Sequence, residues 1–540
     1  MNKKLLLTLS ESEIQSPVTF LEDGQIIIYK GENGQYLATW NRCKHRAGRF
    51  RFENNSTLTC ANHNWKLNLP TMTYLEPFGK LKQPCLLVEL GEGGTINLYQ
   101  NTEPLPWEIY SRTASQLVPG ELTLEFYTHA TMKIQAGKQW IFSDPWLIGP
   151  ASSRGWWLSH RPPSDWLEQL AIASLIYISH THSDHLNLPT LRKLATVNPT
   201  APVIFPNYRD RTGLRLIRST GLKNIQLCDF KVWYELDEDT RYMLLQDSTG
   251  KDDSALLVEY KGHRILNSTD ASAGLNDSIL PNPLDVLFVP FAGGASGHPV
   301  CWADLYSDKM IQRLVNRNLQ LEAHHAVLMV GQTQPRVVVP FAGYFTEAHP
   351  ADHEIRYYNR RNSPQEVCRL IQAEYPEVIS WLPKAGQVFD LATFEVAGGT
   401  ELTEPPEYDF ASHLSEIEAA LEFAPLQSLA GVKQYFKWAG WQGDLVLHIL
   451  ETDESFGQIL REYFLDFSDP ELLLKTRPTS NRRYLRMKVR ADVFRYVLKN
   501  ALPWEEISVG FQARFYCEPD VYSYDFWHHF QYNLPEQPCF

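Results

Sequence analysis

Residues 174–191 read SLIYISHTHSDHLNLPTL, a strand-length apolar run followed by a dense group of histidines and the start of a helix. His180 and His182 are two apart in an extended chain, so they point the same way and can face one metal ion. Asp184 and His185 lie where the chain turns toward the helix and can face a second ion. Imidazole and carboxylate ligands suit zinc, iron or manganese. A surface loop that is merely rich in histidine is the alternative.

A second group of metal-ligating residues lies upstream, in NRCKHRAGRFRFENNSTLTCANHNWKLNLPTM at residues 41–72. Cys43 and His45 form C-x-H, fourteen residues intervene, and Cys60 and His63 then form C-x-x-H. Two such loops can hold a Rieske 2Fe–2S cluster, with the cysteines on one iron and the histidines on the other. A structural zinc site is the alternative, since two cysteines and two histidines also suit zinc. The interleaved order of Cys and His in a β-rich setting favours the cluster.

The length of 540 residues predicts two or three domains, and the patterns along the chain indicate an α/β multidomain protein. Residues 1–105 carry short apolar strands and turn signals and form the predicted β-rich Rieske domain. Strands and helices interleave over residues 115–395, the predicted catalytic domain. Residues 400–540 are predicted to form a C-terminal α/β region, for which the sequence indicates no role.

Composition narrows the classes of function. With 63 acidic and 50 basic residues the net charge is −13, which disfavours nonspecific binding to nucleic acid or to an anionic membrane. No apolar stretch reaches transmembrane length, so no membrane insertion is expected. The eight cysteines are not spaced as a disulfide framework, which indicates reduced thiols and a cytoplasmic location.

The H-x-H-x-D-H element resembles the signature of the metallo-β-lactamase superfamily, which implies an αββα sandwich with a dinuclear metal site. In that resemblance Asp270, in ILNSTD, matches the metal-bridging aspartate, and His129 and Asp144 also follow strands. The superfamily usually supplies one more histidine before the bridging aspartate. Here LLQDSTGKDDSALLVEY, residues 244–260, has none. Asp247, Asp252 or Asp253 substitutes for it, or one metal position is incomplete. His349 is the preferred last ligand, with His298 as the competitor.

The two motifs together change the predicted chemistry. A Rieske centre carries single electrons, and hydrolysis of a metal-polarised bond needs none. An iron site that activates O2 does need them. The combination therefore favours non-haem iron, one ion or two, over zinc, and monooxygenation over hydrolysis.

The combination closely resembles the CMP-N-acetylneuraminate hydroxylase family. The resemblance extends over nearly the whole chain, in strings such as CKHRAG, CANHNWKL, DPWLIGPASSRGWWLSHRPPSDWLE, FAGGASG and WEEISVGFQARFYCEPDVY. It implies oxidation of the N-acetyl methyl group of CMP-N-acetylneuraminate, a CMP-sialic acid, to N-glycolyl. The implied electron route runs from NADH through a reductase and a b-type cytochrome, or a ferredoxin equivalent, to the Rieske cluster and then the iron.

The catalytic metal ligands expected from these arguments are His180, His182, Asp184, His185, Asp270 and, more weakly, His349. Residues that could contact the substrate are Arg154, Trp156, Arg336 and Tyr344, because arginine pairs with phosphate and carboxylate and an aromatic ring stacks on a base or sugar. If the cluster is too far from its own catalytic metal, a neighbouring subunit supplies it, which would require a homo-oligomer. Two other functions stay open: a hydroxylase of another nucleotide-sugar or amide, and a zinc hydrolase with a redox-sensing Rieske domain.

Overall fold

The computed structural model describes residues 3–14, 16–43, 48–61, 65–76, 82–101, 106–247, 252–271, 280–294, 296–347, 349, 351–399, 425–469, 471, 473–474 and 482–535. The chain forms two compact units. Residues 1–111 and 520–525 belong to the first, and residues 112–247, 252–519 and 526–540 to the second. The predicted β-rich domain lies in the first unit. The predicted catalytic domain and most of the C-terminal region share the second.

The first unit is built from short strands. They are β1 Lys3–Ser10, β2 Val18–Leu21, β3 Ile26–Lys30, β4 Tyr36–Trp40, β5 Phe50–Asn54, β6 Thr57–Cys60, β7 Lys66–Asn68, β8 Thr73–Glu76, β9 Leu87–Leu90 and β10 Thr95–Asn101, followed by the short helix α1 Pro106–Ile109. Within the described residues they pair as three sheets, β1-β10-β9, β2-β3-β4 and β5-β6-β7-β8. The last of these carries Cys60 at the end of β6, and its core includes Trp65 and Tyr74.

The second unit contains the remaining strands. They are β11 Leu122–Thr128, β12 Thr131–Ala136, β13 Gln139–Ser143, β14 Trp156–Leu158, β15 Leu175–Tyr177, β16 Val203–Pro206, β17 Ile225–Cys228, β18 Tyr234–Glu235, β19 Thr240–Gln246, β20 Ser254–Tyr260, β21 His263–Asn267, β22 Val286–Pro290, β23 Val337–Phe341, β24 Phe345–Glu347, β25 Ile379–Ser380, β26 Gln387–Asp390, β27 Val396–Gly398, β28 Leu445–Thr452, β29 Ile459–Asp466, β30 Leu473–Leu474, β31 Arg483–Arg490 and β32 Ala513–Glu518.

Ten further helices follow in the described part of the chain. They are α2 Trp166–Ala171, α3 Leu188–Val197, α4 Thr212–Arg218, α5 Asp308–Thr333, α6 His353–Tyr358, α7 Pro364–Glu374, α8 Leu429–Ala439, α9 Ala491–Lys499, α10 Glu505–Val509 and α11 Tyr524–Tyr532. None of the helices described is both long enough and apolar enough to cross a lipid bilayer.

Two large mixed sheets form the sandwich that the superfamily resemblance implies. One has the order β17-β16-β15-β13-β12-β11-β26-β27 and the other β18-β19-β20-β21-β22-β23-β25. Alternate residues of each strand face different layers: Ile141 of β13 joins the core between the sheets, while its neighbour Phe142 packs under the helices. The predicted strand before the histidines is confirmed as β15.

The C-terminal region adds a five-stranded sheet, β30-β29-β28-β31-β32, within the described residues. Helices α8, α10 and α11 meet around the fully buried Trp504, whose ring packs on Phe436 and Phe530. Its indole N–H donates to the hydroxyl of Tyr435 at 3.0 Å. This aromatic core fixes the start of α10, whose Glu505 and Glu506 contact His182 and Ser183.

Candidate metal centre

The carboxyl ends of several strands meet at one edge of the sandwich. Strands β13 and β15 run parallel, so Asp144 and the segment that follows Tyr177 leave the sheet side by side. Asp270 follows β21 in the facing sheet, and His129 follows β11. The backbone N–H of Ala342, after β23, donates to the carbonyl of His129 at 3.0 Å. Residues far apart in sequence therefore converge at this edge.

The backbone at this edge is strained. Non-glycine residues adopt left-handed φ values within two residues of the ends of their strands: His129 at 28°, Asp144 at 38°, Thr269 at 43° and Ala342 at 49°. Such conformations cost free energy and are typical of functional sites, where the surrounding structure holds them in place. Here they turn side chains toward the point where the strands converge.

Each of the three clustered histidines has one ring nitrogen engaged by a polar partner. Nδ1 of His180 lies 2.9 Å from Oγ of Ser179, and Nδ1 of His185 lies 2.8 Å from Oδ2 of Asp144. Nε2 of His182 lies 3.0 Å from Oε2 of Glu505. The other nitrogens face inward: Nε2 of His180 and Nδ1 of His182 are 2.8 Å apart. Partners of this kind fix the tautomer and orientation of metal-binding histidines.

Two carboxylates approach the same nitrogens. Oδ2 of Asp184 lies 3.3 Å from Nε2 of His185 and 3.1 Å from Nε2 of His129. Asp270 turns Oδ1 toward Nε2 of His185, at 3.7 Å, and Oδ2 toward Nε2 of His180, at 3.9 Å. Among the described residues, two groups therefore have the spacing of metal ligands: His129, Asp184 and His185, and His180, His185 and Asp270.

The donor set fits metal ions on a further ground. Nε2 of His185, which faces Asp184 and Asp270, is buried and has no hydrogen-bond partner among the described residues. A buried polar atom without a partner is costly, and a bound ion is one of the ways to satisfy it. His182 belongs to neither group of three, although its Nδ1 faces His180.

The electrostatics of the site favour positive charge. Burial lowers the pKa of His182, but the hydrogen bond and charge of Glu505, with the charges of Asp184 and Asp253, outweigh it and raise that pKa to about 9. Burial opposes charge on His185 as well, yet the neighbouring carboxylates raise its pKa well above the ordinary value. The pKa of Asp184 lies well below its usual range, because the two histidines beside it overcome the effect of burial. A cation is therefore stabilised here, whether proton or metal.

The structure places the other proposed metal ligands elsewhere or beside the cluster. Nε2 of His349 lies 2.7 Å from Oε2 of Glu454, and the ring of His298 packs against Trp302 and Tyr306. Neither histidine belongs to a described group of metal-ligand spacing. The three aspartates offered in place of the missing histidine flank residues 248–251, which lie outside the described residues. Asp247 and Asp253 are buried, and burial with the charges of Asp210 and Asp253 raises the pKa of Asp252 to about 7.

The proposed substrate residues have structural partners. Arg154 is buried, and its guanidinium pairs with Asp492 at 2.8 Å and Glu454 at 3.4 Å. The ring of Trp156 stacks on Phe345 at 3.7 Å, and its indole N–H donates to the carbonyl of Val509.

The other two proposed substrate residues are Tyr344 and Arg336. The hydroxyl of Tyr344 donates to the carbonyl of Pro340. Arg336 precedes β23, at the strand end opposite the metal cluster, and its exposed guanidinium lies over Phe394. The structure therefore does not bring Arg336 to the metal cluster.

The two cysteines of the upstream motif lie in the first unit. Cys43 and Cys60 are fully buried, and their backbone N–H groups donate to the carbonyls of Gly48 at 2.7 Å and Trp65 at 2.8 Å. The hydroxyl of Tyr74 contacts Sγ of Cys43 at 3.4 Å. The two predicted histidine ligands, His45 and His63, lie outside the described residues. Two buried thiols fit an iron–sulfur cluster.

Known proteins resemble this chain in both parts that carry these motifs. A model of the Rieske [2Fe-2S] domain matches residues 6–77, and a model of a beta-lactamase superfamily domain matches residues 123–342. The cytidine monophosphate-N-acetylneuraminic acid hydroxylase of Mus musculus is 36% identical over 563 residues, covering 99% of this chain and 96% of its own. That of Pongo pygmaeus is 38% identical over 535 residues, covering 95% and 90%. Among solved structures, CmlA, a diiron beta-hydroxylase from Streptomyces venezuelae, aligns over 51% of this chain and 55% of its own, at 14% identity and a TM-score of 0.34.

Proposed function

The chain belongs to the cytidine monophosphate-N-acetylneuraminic acid hydroxylase family, and we propose that it converts the N-acetyl group of CMP-N-acetylneuraminate to N-glycolyl. The reaction inserts one oxygen atom of O2 into a methyl C–H bond. The second oxygen atom leaves as water, with two electrons and two protons supplied from outside. The protein is therefore a Rieske-dependent monooxygenase.

The observation that carries this proposal is the presence of both centres in one chain. A Rieske [2Fe-2S] domain covers residues 6–77, and the histidine–carboxylate cluster lies within the domain matched over residues 123–342. A hydrolase has no use for a one-electron carrier, whereas O2 chemistry consumes electrons singly. This pairing favours non-haem iron over zinc in the cluster.

We assign the metal to His180, His182, Asp184, His185 and Asp270, with His129 as an added ligand. Iron bound there supplies the oxidising power for C–H cleavage. The chain's own residues orient the ligands, since Ser179, Asp144 and Glu505 each fix one histidine. Arg154 forms ion pairs with Glu454 and Asp492, and through them it stabilises the surroundings of the site.

We propose a b-type cytochrome, or an equivalent acidic carrier, as the electron donor. Residues 41–82, which contain the cluster motif, hold eight basic and two acidic residues, opposite in sign to the net charge of −13. Among them Arg49, Arg51 and Lys82 are exposed. A negatively charged donor would be attracted to this segment, in spite of the acidity of the whole chain. The described cysteines form no disulfide, which supports a reducing, cytoplasm-like compartment.

The test is product analysis with the purified, iron-loaded protein. CMP-N-acetylneuraminate is incubated with isotopically heavy O2 and an artificial reductant, and the product mass is measured. We expect a gain of one heavy oxygen atom on the N-acyl group. No turnover with cluster and iron intact would contradict the assigned substrate and favour another nucleotide-sugar or amide. Full activity with zinc and without a reductant would contradict oxygenation itself.

A further inference from the structure

Residues 179–185, which carry four of the predicted metal ligands, are called the metal-binding loop. The C-terminal region contacts three consecutive residues of this loop. The side-chain amide of Gln531 donates to the hydroxyl of Thr181 at 3.4 Å. Glu505 accepts from His182, and Glu506 accepts from the backbone N–H and the hydroxyl of Ser183 at 2.9 and 2.7 Å. These partners are more than 300 positions away in sequence. Each of the loop residues 181–183 is therefore hydrogen-bonded to a side chain of the C-terminal region.

The contact extends to the backbone around the site. Oε2 of Glu506 also accepts from the N–H of Ser153 at 3.0 Å, and the N–H of Ser152 donates to Oγ of Ser183 at 2.6 Å. A Cβ added to Gly510 would lie 1.8 Å from the carbonyl oxygen of Ser152. Only glycine permits this approach of the two backbones. The segment that contains α10 is therefore packed directly onto the loops at the sandwich edge.

We infer that the C-terminal region forms part of the metal centre, because it holds the loop that carries the ligands. Within it, Glu505 is a positioning residue for the metal ligand His182. Nε2 of His182 donates to Glu505, so its proton is held on that nitrogen. Nδ1 is then the nitrogen left for a metal ion, which would bind there in place of a proton, and it faces Nε2 of His180, 2.8 Å away. The arrangement matches the pair of Asp144 and His185 on the other side of the cluster. This role does not require Glu505 to contact the substrate.

Glu506 has a separate role in the same region of the site. Its buried carboxylate accepts three hydrogen bonds, from Ser153 N–H and from the N–H and hydroxyl of Ser183. Ser183 lies between His182 and Asp184, so this clamp sets the backbone from which both side chains project. Glu505 therefore orients the side chain of His182, and Glu506 fixes the backbone of the loop at Ser183.

Cobalt binding tests the inference without any substrate. Full-length protein is titrated anaerobically with Co²⁺ alone, and affinity and the visible absorption bands of bound cobalt are recorded. For Glu505→Leu we expect the ion held by His180 and His182 to bind about 10- to 100-fold more weakly, with altered bands, which is typical for loss of such a partner. Glu505→Gln keeps an oxygen that accepts from Nε2, so it should recover most of the affinity.

The control is Glu471→Gln, an exposed C-terminal carboxylate that pairs with Lys433 and Lys437, and its titration should match the unaltered protein. Wild-type affinity and bands in Glu505→Leu would overturn the inference. Equal losses in Glu505→Leu and Glu505→Gln would overturn the hydrogen-bond role. The inference rests on the proposed metal site but not on the proposed substrate, so failure of product formation alone leaves this result unchanged.

Discussion

Replacement of Asp144 by Asn tests how the metal-binding histidines are oriented. The Asp144 carboxylate is fully buried and accepts three hydrogen bonds, from the N–H and hydroxyl of Ser179, both at 2.7 Å, and from Nδ1 of His185 at 2.8 Å. Asparagine has nearly the same shape but only one oxygen. If that oxygen faces the Ser179 N–H, the amide NH2 faces Nδ1 of His185.

The size of the expected effect follows from the hydrogen bond that the asparagine NH2 cannot accept from His185. The serine hydroxyl can rotate and accept from the new NH2, but Nδ1–H of His185 cannot. His185 therefore loses its hydrogen bond, at a cost of about 1–3 kcal/mol in unfolding free energy, or moves its proton to Nε2. In the second case Nε2 no longer offers a lone pair to a metal. We expect metal affinity to fall about 10- to 100-fold.

Calorimetric titration with Co²⁺ and urea unfolding of the metal-free protein measure the two effects. Asp466→Asn is the matched control, because Asp466 also accepts from the N–H and hydroxyl of one serine, Ser468, far from any metal ligand in sequence. The control should lose stability and keep its metal affinity. If Asp144→Asn bound metal as tightly as the unaltered protein, the proposed orientation of His185 by Asp144 would be refuted.

Three further outcomes are expected. Cys43→Ser should remove the Rieske electron paramagnetic resonance signal and turnover with the physiological donor while iron stays bound downstream; surviving turnover would contradict the electron route. Reduction of the cluster by an acidic donor should slow as salt is added, and slow further in Arg51→Glu; a rate independent of salt would argue against the basic segment 41–82 as the docking region. Burial lowers the pKa of His160 to about 4, whereas the unfolded chain protonates near pH 6.5, so stability should be full above pH 6.5 and fall by up to about 3 kcal/mol toward pH 4. Urea unfolding at several pH values should give a shallower fall for His160→Gln, and an identical fall would contradict the assignment.

The histidine motif could be identified from the sequence because its residues are close neighbours, and the sandwich was expected from the superfamily that this motif resembles. The buried strand β15 and the turn that follows it place His180, His182, Asp184 and His185 within a few positions of one another. Asp270 was identified only through resemblance, since the hairpin that carries it has no chemical signature of its own.

The rest of the site depends on contacts that no local pattern encodes. Glu505 and Glu506 follow a buried tryptophan and meet the metal loop only because the aromatic core around Trp504 places α10 there. Two adjacent glutamates on a short amphipathic segment ordinarily indicate a solvated helix end. Arg154 looked suited to an anionic substrate by residue type, but its two carboxylate partners come from the C-terminal region, at positions 454 and 492.

The geometry of His185 bears on whether the centre holds one ion or two. Because Nδ1 of His185 donates to Asp144, Nε2 has the only lone pair and can bind a single ion. His185 therefore cannot complete both groups of ligands. If it joins His129 and Asp184, then His180, His182 and Asp270 are left as three donors for a second ion. Asp270 turns one oxygen toward His185 and the other toward His180, so it lies between the two groups of ligands. The described residues would therefore supply three donors to each of two ions, which favours a centre of two ions over one.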